Sequence, residues 1–322
     1  MKKRFVKTYN FFYNKSEKIV ERAKKVTLPG FDRVPLYDVA VFFFKGLMKG
    51  SITTRASSIA FNIFLALFPA VIFFFTLIPY IPVEGFQTEL LNLFKELLPD
   101  NAYKSVIGTL TDIVTIRRGG LLSIGVITAL YFSTNGISAL IGAFNATYLT
   151  FETRSFIAQK LISLVLVLIL FILLTIAIVL LIFSQIAIQY LIKADLLELN
   201  YTYYLLKAGN WIVIVALFFF AISFLYYFAP AKKTKWRFIS AGSTVATLLS
   251  ILICSGFSFY VNNFGSYNKL YGSIGTLIVL LLWIYFNAII LLIGFELNTS
   301  ISNAHLKENI KYIAKNIRNN KQ

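Results

Sequence analysis

Arg55 and Glu296 are the two charges whose positions could carry chemistry. Each stands at the end of an otherwise apolar stretch, Arg55 just before Ile59–Tyr80 and Glu296 just after Leu270–Phe295. An ionised group near hydrocarbon is costly to desolvate and usually finds a partner. Three readings follow: a link that closes the first stretch against the last, a direct role toward a substrate or proton, or two side chains that snorkel to lipid headgroups. Asn62, Asn135, Asn145 and Asn287 add amides within the same apolar stretches. Unsatisfied amides are expensive in hydrocarbon, so these must bond across helices or face a wet cavity. Between the last two stretches, Gly265, Gly272 and Gly275 stand among Asn263, Tyr267, Asn268 and Tyr271. That mixture reads as a polar hairpin of irregular backbone, which serves either as a tight turn or as a gate.

Other chemistries lack their residues. A metal-dependent nuclease needs clustered His, Asp or Glu to hold ions and activate water, and this chain has one histidine, His305, in a polar tail. With a single cysteine, Cys254, neither an intrachain disulfide nor a CxxC redox or zinc site can form, and a small buried side chain is its expected role. No GxxxxGK[ST] phosphate loop occurs. The residues therefore point to no catalytic site, no metal and no cofactor.

Six long uncharged stretches must position these groups: Ile59–Tyr80, Gly119–Thr150, Leu161–Ile192, Ala208–Ala231, Phe238–Asn268 and Leu270–Phe295. Each meets the roughly 20 apolar residues that a helix needs to cross a bilayer. The fold class expected is all-α: a polytopic membrane protein with six transmembrane helices plus interfacial amphipathic helices. Composition agrees, with 58% hydrophobic and 14% charged residues, too apolar for a soluble chain of this length. The third stretch is long enough that it must tilt, bend or project beyond the membrane.

The net charge of +17 raises the question of nucleic acid, but its placement answers it. Segments 1–55, 151–160, 232–237 and 298–322 hold 24 Lys and Arg, whereas 81–118, 193–207 and Lys269 hold 7. By the positive-inside rule both termini are expected in the cytoplasm, and anionic lipid accounts for the excess without nucleic acid. Before Pro29 no apolar core with a small-residue cleavage site occurs, so no cleaved signal peptide is expected. The chain divides into a basic N-terminal region over 1–55 with amphipathic helices, a six-helix domain over 56–300 and a basic tail over 301–322. Phe5, Tyr9, Phe12 and Tyr13 suit one interfacial helix and Val39–Met48 another. On the opposite side, Phe86, Leu90, Leu93 and Leu97, then Val106, Leu110 and Ile113, mark two short surface helices. In the fifth span Gly242, Ala246, Ser250, Cys254 and Ser258 form a strip of small residues expected to pack against another helix.

Three blocks carry a family resemblance: Arg55-Ala-Ser-Ser-Ile-Ala-Phe with Leu67-Phe68-Pro69; Ser133-Thr-Asn-Gly-Ile-Ser-Ala-Leu with Asn145-Ala-Thr-Tyr148; and Asn263-Phe-Gly-Ser-Tyr-Asn-Lys-Leu-Tyr-Gly-Ser-Ile-Gly275, running on to Leu282-Trp-Ile-Tyr285 and Gly294-Phe-Glu-Leu-Asn298. Over residues 35–300 the chain resembles the YihY family of bacterial membrane proteins, also called the virulence factor BrkB family and formerly labelled ribonuclease BN. The resemblance implies a six-helix inner-membrane protein, with transport or lipid export the usual suggestion, and adds Pro69 to the candidate residues. The expected function is movement or export of an amphipathic, lipid-like substrate, with membrane lipids as partners. An ion or small-solute transporter and a non-transporting scaffold are the alternatives. A transporter predicts a pocket lined by the first two spans through Asn62, Asn135 and Asn145. Oligomeric state leaves no mark in the sequence.

Overall fold

The computed structural model describes residues 21–28, 30–32, 34–49, 51–82, 87–88, 91–92, 100–147, 154–193, 201–231, 239–263 and 266–319. Helix α1, Leu36–Lys49, precedes α2, Ile52–Leu77, which ends in a single 3-10 turn over Ile78–Tyr80. Then come α3, Asp100–Thr115; α4, Gly119–Thr147; α5, Phe156–Lys193; α6, Tyr201–Phe228; α7, Ala241–Asn263; and α8, Ser266–Asn319. Six of these, α2 and α4 to α8, are long and apolar enough to cross a membrane. The molecule is an all-α polytopic membrane protein.

The first span begins at Ile52, about two turns before the run that starts at Ile59, so Arg55 sits inside the helix. Pro69 also lies within α2. It cannot donate to the carbonyl of Leu65, a loss that membrane helices tolerate where neighbours re-satisfy the freed group. The third span is a helix of 38 residues, about 57 Å long against a hydrocarbon core of about 30 Å. At 54 residues, or about 81 Å, α8 must leave the membrane over more than half its length.

The polar hairpin expected around Asn262–Gly275 is corrected by this helix. The chain is helical to Asn263 and again from Ser266, which places Tyr267, Tyr271, Gly272 and Gly275 on α8, while Gly265 lies outside the described residues. In hydrocarbon a helix satisfies its own backbone, and that outweighs the glycines' turn preference. Of the surface segments, Phe5–Tyr13 and Phe86, Leu90, Leu93 and Leu97 lie outside the described residues. Val106, Leu110 and Ile113 fall on α3, whose Val114 is buried, and α3 packs on the far end of α2.

Each long helix packs on the next in chain order, from α2 to α4, α5, α6, α7 and α8, and α8 closes the cycle on α2. The α2–α4 contact is the most extensive, with Gly125 set against Phe73 and Gly136 against Ile63. Helix α1 is more than an interfacial element. Val39 joins Phe31, Val34, Ile301 and Ala304 in a small core against the tail half of α8, and Lys307 pairs with Asp38 at 3.0 Å. Its other side carries Phe44 and Met48, both exposed.

The main core lies toward the end of the bundle that holds α1, the tail and the basic loops, here called the basic end. Phe144 of α4 stacks on Phe295 of α8 with centroids 4.1 Å apart, and Tyr226 of α6 meets both rings edge-on. The Tyr226 hydroxyl donates to the Leu291 carbonyl at 2.7 Å. Toward the far end packing lapses: residues 168–184 of α5, 208–221 of α6 and 251–260 of α7 include no buried residue.

Candidate functional site

Glu296 is 5% exposed, and four helices meet around it. From α2, the Arg55 guanidinium donates to the Ala143 carbonyl at 2.8 Å and to the Thr147 hydroxyl oxygen at 2.6 Å, both on α4. Thr147 also lies within hydrogen-bonding reach of the Glu296 carboxylate, which is attracted to Arg55. Having accepted from Arg55, the Thr147 hydroxyl keeps its one proton for Glu296 or for Ala143. Among the described residues, Arg55 and Glu296 do not close to an ion pair; the third helix mediates between them. The fourth wall is α1, where Gly46 lies so close that a Cβ there would fall on the Glu296 carboxylate. Nε of Arg55 is buried without a hydrogen-bond partner. This clasp ties α2, α4 and α8 together at the basic end.

The amides go to separate partners. Asn62 donates to the Ser58 carbonyl on its own helix at 2.8 Å, and Asn287 does the same to Trp283. Asn145, buried on α4, accepts from the Ala231 backbone N–H at 2.8 Å, beyond the end of α6. Asn135 accepts from Lys160 of α5. The three amides expected to line a pocket, Asn62, Asn135 and Asn145, thus bond to three different partners, and α2 and α4 pack closely on one another.

The strip of small residues on α7 is also divided. Gly242, Ala246 and Ser250 are buried, but Cys254 and Ser258 are exposed, against the expectation of a buried cysteine. Four residues turn an α-helix by about 400°, so a strip drawn at every fourth position winds off the contact. Where α7 and α8 do touch, the approach is close. A Cβ on Gly242 would strike the Gly294 carbonyl and the Asn298 side chain, and one on Gly294 would strike Tyr226 and Gly242. Asn298 accepts from the Gly242 N–H at 2.8 Å and donates to Ser240 at 2.9 Å, satisfying an orphan donor at the start of α7.

A profile of virulence factor BrkB proteins matches residues 43–316 of this chain. The chain belongs to the virulence factor BrkB family. It is 32% identical to the ribonuclease-like protein YfkH of Bacillus subtilis over 249 residues, 76% of this chain and 88% of that relative. It is also 27% identical to a UPF0761 membrane protein of Alteromonas mediterranea over 276 residues, 84% of this chain and 89% of that one. A UPF0761 membrane protein of Pseudoalteromonas atlantica is likewise 27% identical, over 263 residues. No solved structure matches the chain.

The blocks that mark a BrkB protein now have physical content. In Gly294-Phe-Glu-Leu-Asn298, the glycine admits α7, Phe295 fills the core, Glu296 enters the clasp and Asn298 caps α7. Sequence reasoning missed Thr147 and Gly46 in the clasp and Lys160 beside Asn135. Thr147 sits within the Asn145-Ala-Thr-Tyr148 block, where it could have been noticed. Lys160 immediately precedes an uncharged run, so its place in the sequence groups it with the loop cations.

Proposed function

We propose that this BrkB-family protein moves an amphipathic, lipid-like substrate across the cell's inner membrane, with its basic end and both termini in the cytoplasm, and that it is not an enzyme. The observation that carries the reading is the uneven closure of the bundle. At the basic end six helices are held by an aromatic core and a buried charged clasp; toward the far end α5, α6 and α7 present no buried residue among the described ones. A solute that must be kept from lipid needs walls sealed along the whole path. Seams that open sideways to hydrocarbon suit a substrate whose own apolar part can occupy them. A scaffold would be expected to bury its contact faces along the full length of its spans.

Proteoliposomes test this. Purified protein should speed the movement of fluorescent phosphatidylglycerol between leaflets, read by dithionite quenching, relative to protein-free vesicles. Equal rates in both would remove the transport reading and favour the scaffold.

A further inference from the structure

We propose that Lys160, Asn135, Ser138 and Ser163 form a binding site for the phosphate of an anionic lipid, placed in the α4–α5 seam below the level of the headgroups. The Lys160 ammonium donates to the Asn135 amide oxygen and reaches the Ser138 hydroxyl at 3.5 Å. Ser138 in turn lies 3.0 Å from the hydroxyl of Ser163. No carboxylate among the described residues lies at ion-pair distance from Lys160, whose other contact is the Phe156 ring at 5.8 Å. The cluster thus has a fixed positive charge, an amide and two hydroxyls, with no counter-charge among the described residues.

Depth distinguishes it from ordinary snorkelling. Helix α4 has 29 residues and ends at Thr147. Its length of about 43 Å exceeds the hydrocarbon by about 13 Å. Ser138 and Asn135 lie about 14 and 18 Å from that end, so even if the whole surplus projected there Asn135 stands within hydrocarbon and Ser138 at its edge. Lys160, four residues into α5, directs its ammonium inward to them. The Cα–Cβ bonds of α5 lean the other way, toward its start at the basic end. A lysine seeking headgroup water would follow that lean. A cation held this deep is costly unless an anion reaches it.

An anion can reach it from the lipid. Lys160 is partly exposed, and Ile157 beside it is 78% exposed. On the far side of the cluster, Tyr131, Ile127 and Ile124 continue the line of Asn135 along α4 at helical spacing, and Leu168 and Phe171 stand exposed on α5. A phosphate at Lys160 would therefore have apolar surface beyond it for its acyl chains. Ser138 and the buried Ser163 donate to the carbonyls of Thr134 and Gln159 on their own helices, and a hydroxyl that turns from its carbonyl can donate to a phosphate oxygen instead.

This inference deepens the transport reading and rests on it for its purpose, though binding can be measured alone. The full chain goes into phosphatidylcholine nanodiscs that contain spin-labelled phosphatidylglycerol or spin-labelled phosphatidylcholine, and the immobilised fraction is read by electron paramagnetic resonance. Wild type should prefer the anionic lipid, Lys160→Met should lose about fivefold of that preference, and Lys160→Arg should keep most of it. Ser138→Ala, a mild change, should weaken it partway and serves if the methionine variant does not fold. Unchanged preference in Lys160→Met, or in Ser138→Ala where the methionine variant does not fold, overturns the site. Displacement of the lipid by millimolar inorganic phosphate overturns the lipid assignment in favour of a free anion. Lys160-dependent preference without leaflet movement in proteoliposomes would leave the site standing and remove the transport reading.

Discussion

At the scale of single residues, Glu296 is governed by what surrounds it. A carboxylate buried among four helices is stable through the Arg55 attraction and the Thr147 hydroxyl, so removing one partner strands the other. Losing half of a buried charge network costs about 3–5 kcal/mol. Glu296→Ala and Arg55→Ala should each lower the melting temperature of the detergent-solubilised protein. The double variant should lose less than the two losses added. Because Thr147 links the pair, that coupling should shrink in a Thr147→Val background; a coupling untouched by this change would mean that the charges act directly. Part of this was legible beforehand, since two charges closing apolar runs ask for partners. That a threonine from a third helix stands between them was not, because its type carries no such demand.

Among elements, the α7–α8 crossing shows how small residues act in a membrane. Without a hydrophobic drive between helices, close backbone approach supplies the dispersion contacts, and Gly242 against Gly294 is that approach. Gly242→Leu should sharply reduce folded protein, whereas Asn298→Ala, which uncaps α7, should cost about 1 kcal/mol. Folded abundance after detergent extraction and heating reads both. Farther along α7 the packing lapses, and Cys254 is exposed there. A membrane-permeant maleimide should therefore label Cys254 in the folded protein without denaturant. Labelling that appears only after unfolding would place the far half of α7 in a packed interface.

For the whole molecule, the asymmetry of 24 against 7 basic residues sets the expected orientation. Tags at both termini should be protected in sealed right-side-out cells, and a cysteine introduced at Asp100, the first residue of α3, should label from outside. Labelling at the termini would reverse the bundle. The clasp would then close the outer side, and the open seams of α5, α6 and α7 would face the cytoplasmic leaflet.

What the sequence determined by itself were properties summed over many residues. Six apolar runs, their lengths and the bias of charge each add small terms of one sign across 20 or more positions, so helix number survives an error at any one of them. Local choices were less secure. The glycines and tyrosines of 265–275 suggested a hairpin, but a helix beginning at Ser266 satisfies backbone groups that water cannot reach. What the tertiary structure alone decided was partnership. Asn62 and Asn135 are the same residue type in similar apolar surroundings, yet one closes on its own helix and the other meets a lysine from the next. The rotation of each helix about its axis makes that difference. Packing against neighbours sets that rotation, and no short stretch of the chain encodes it.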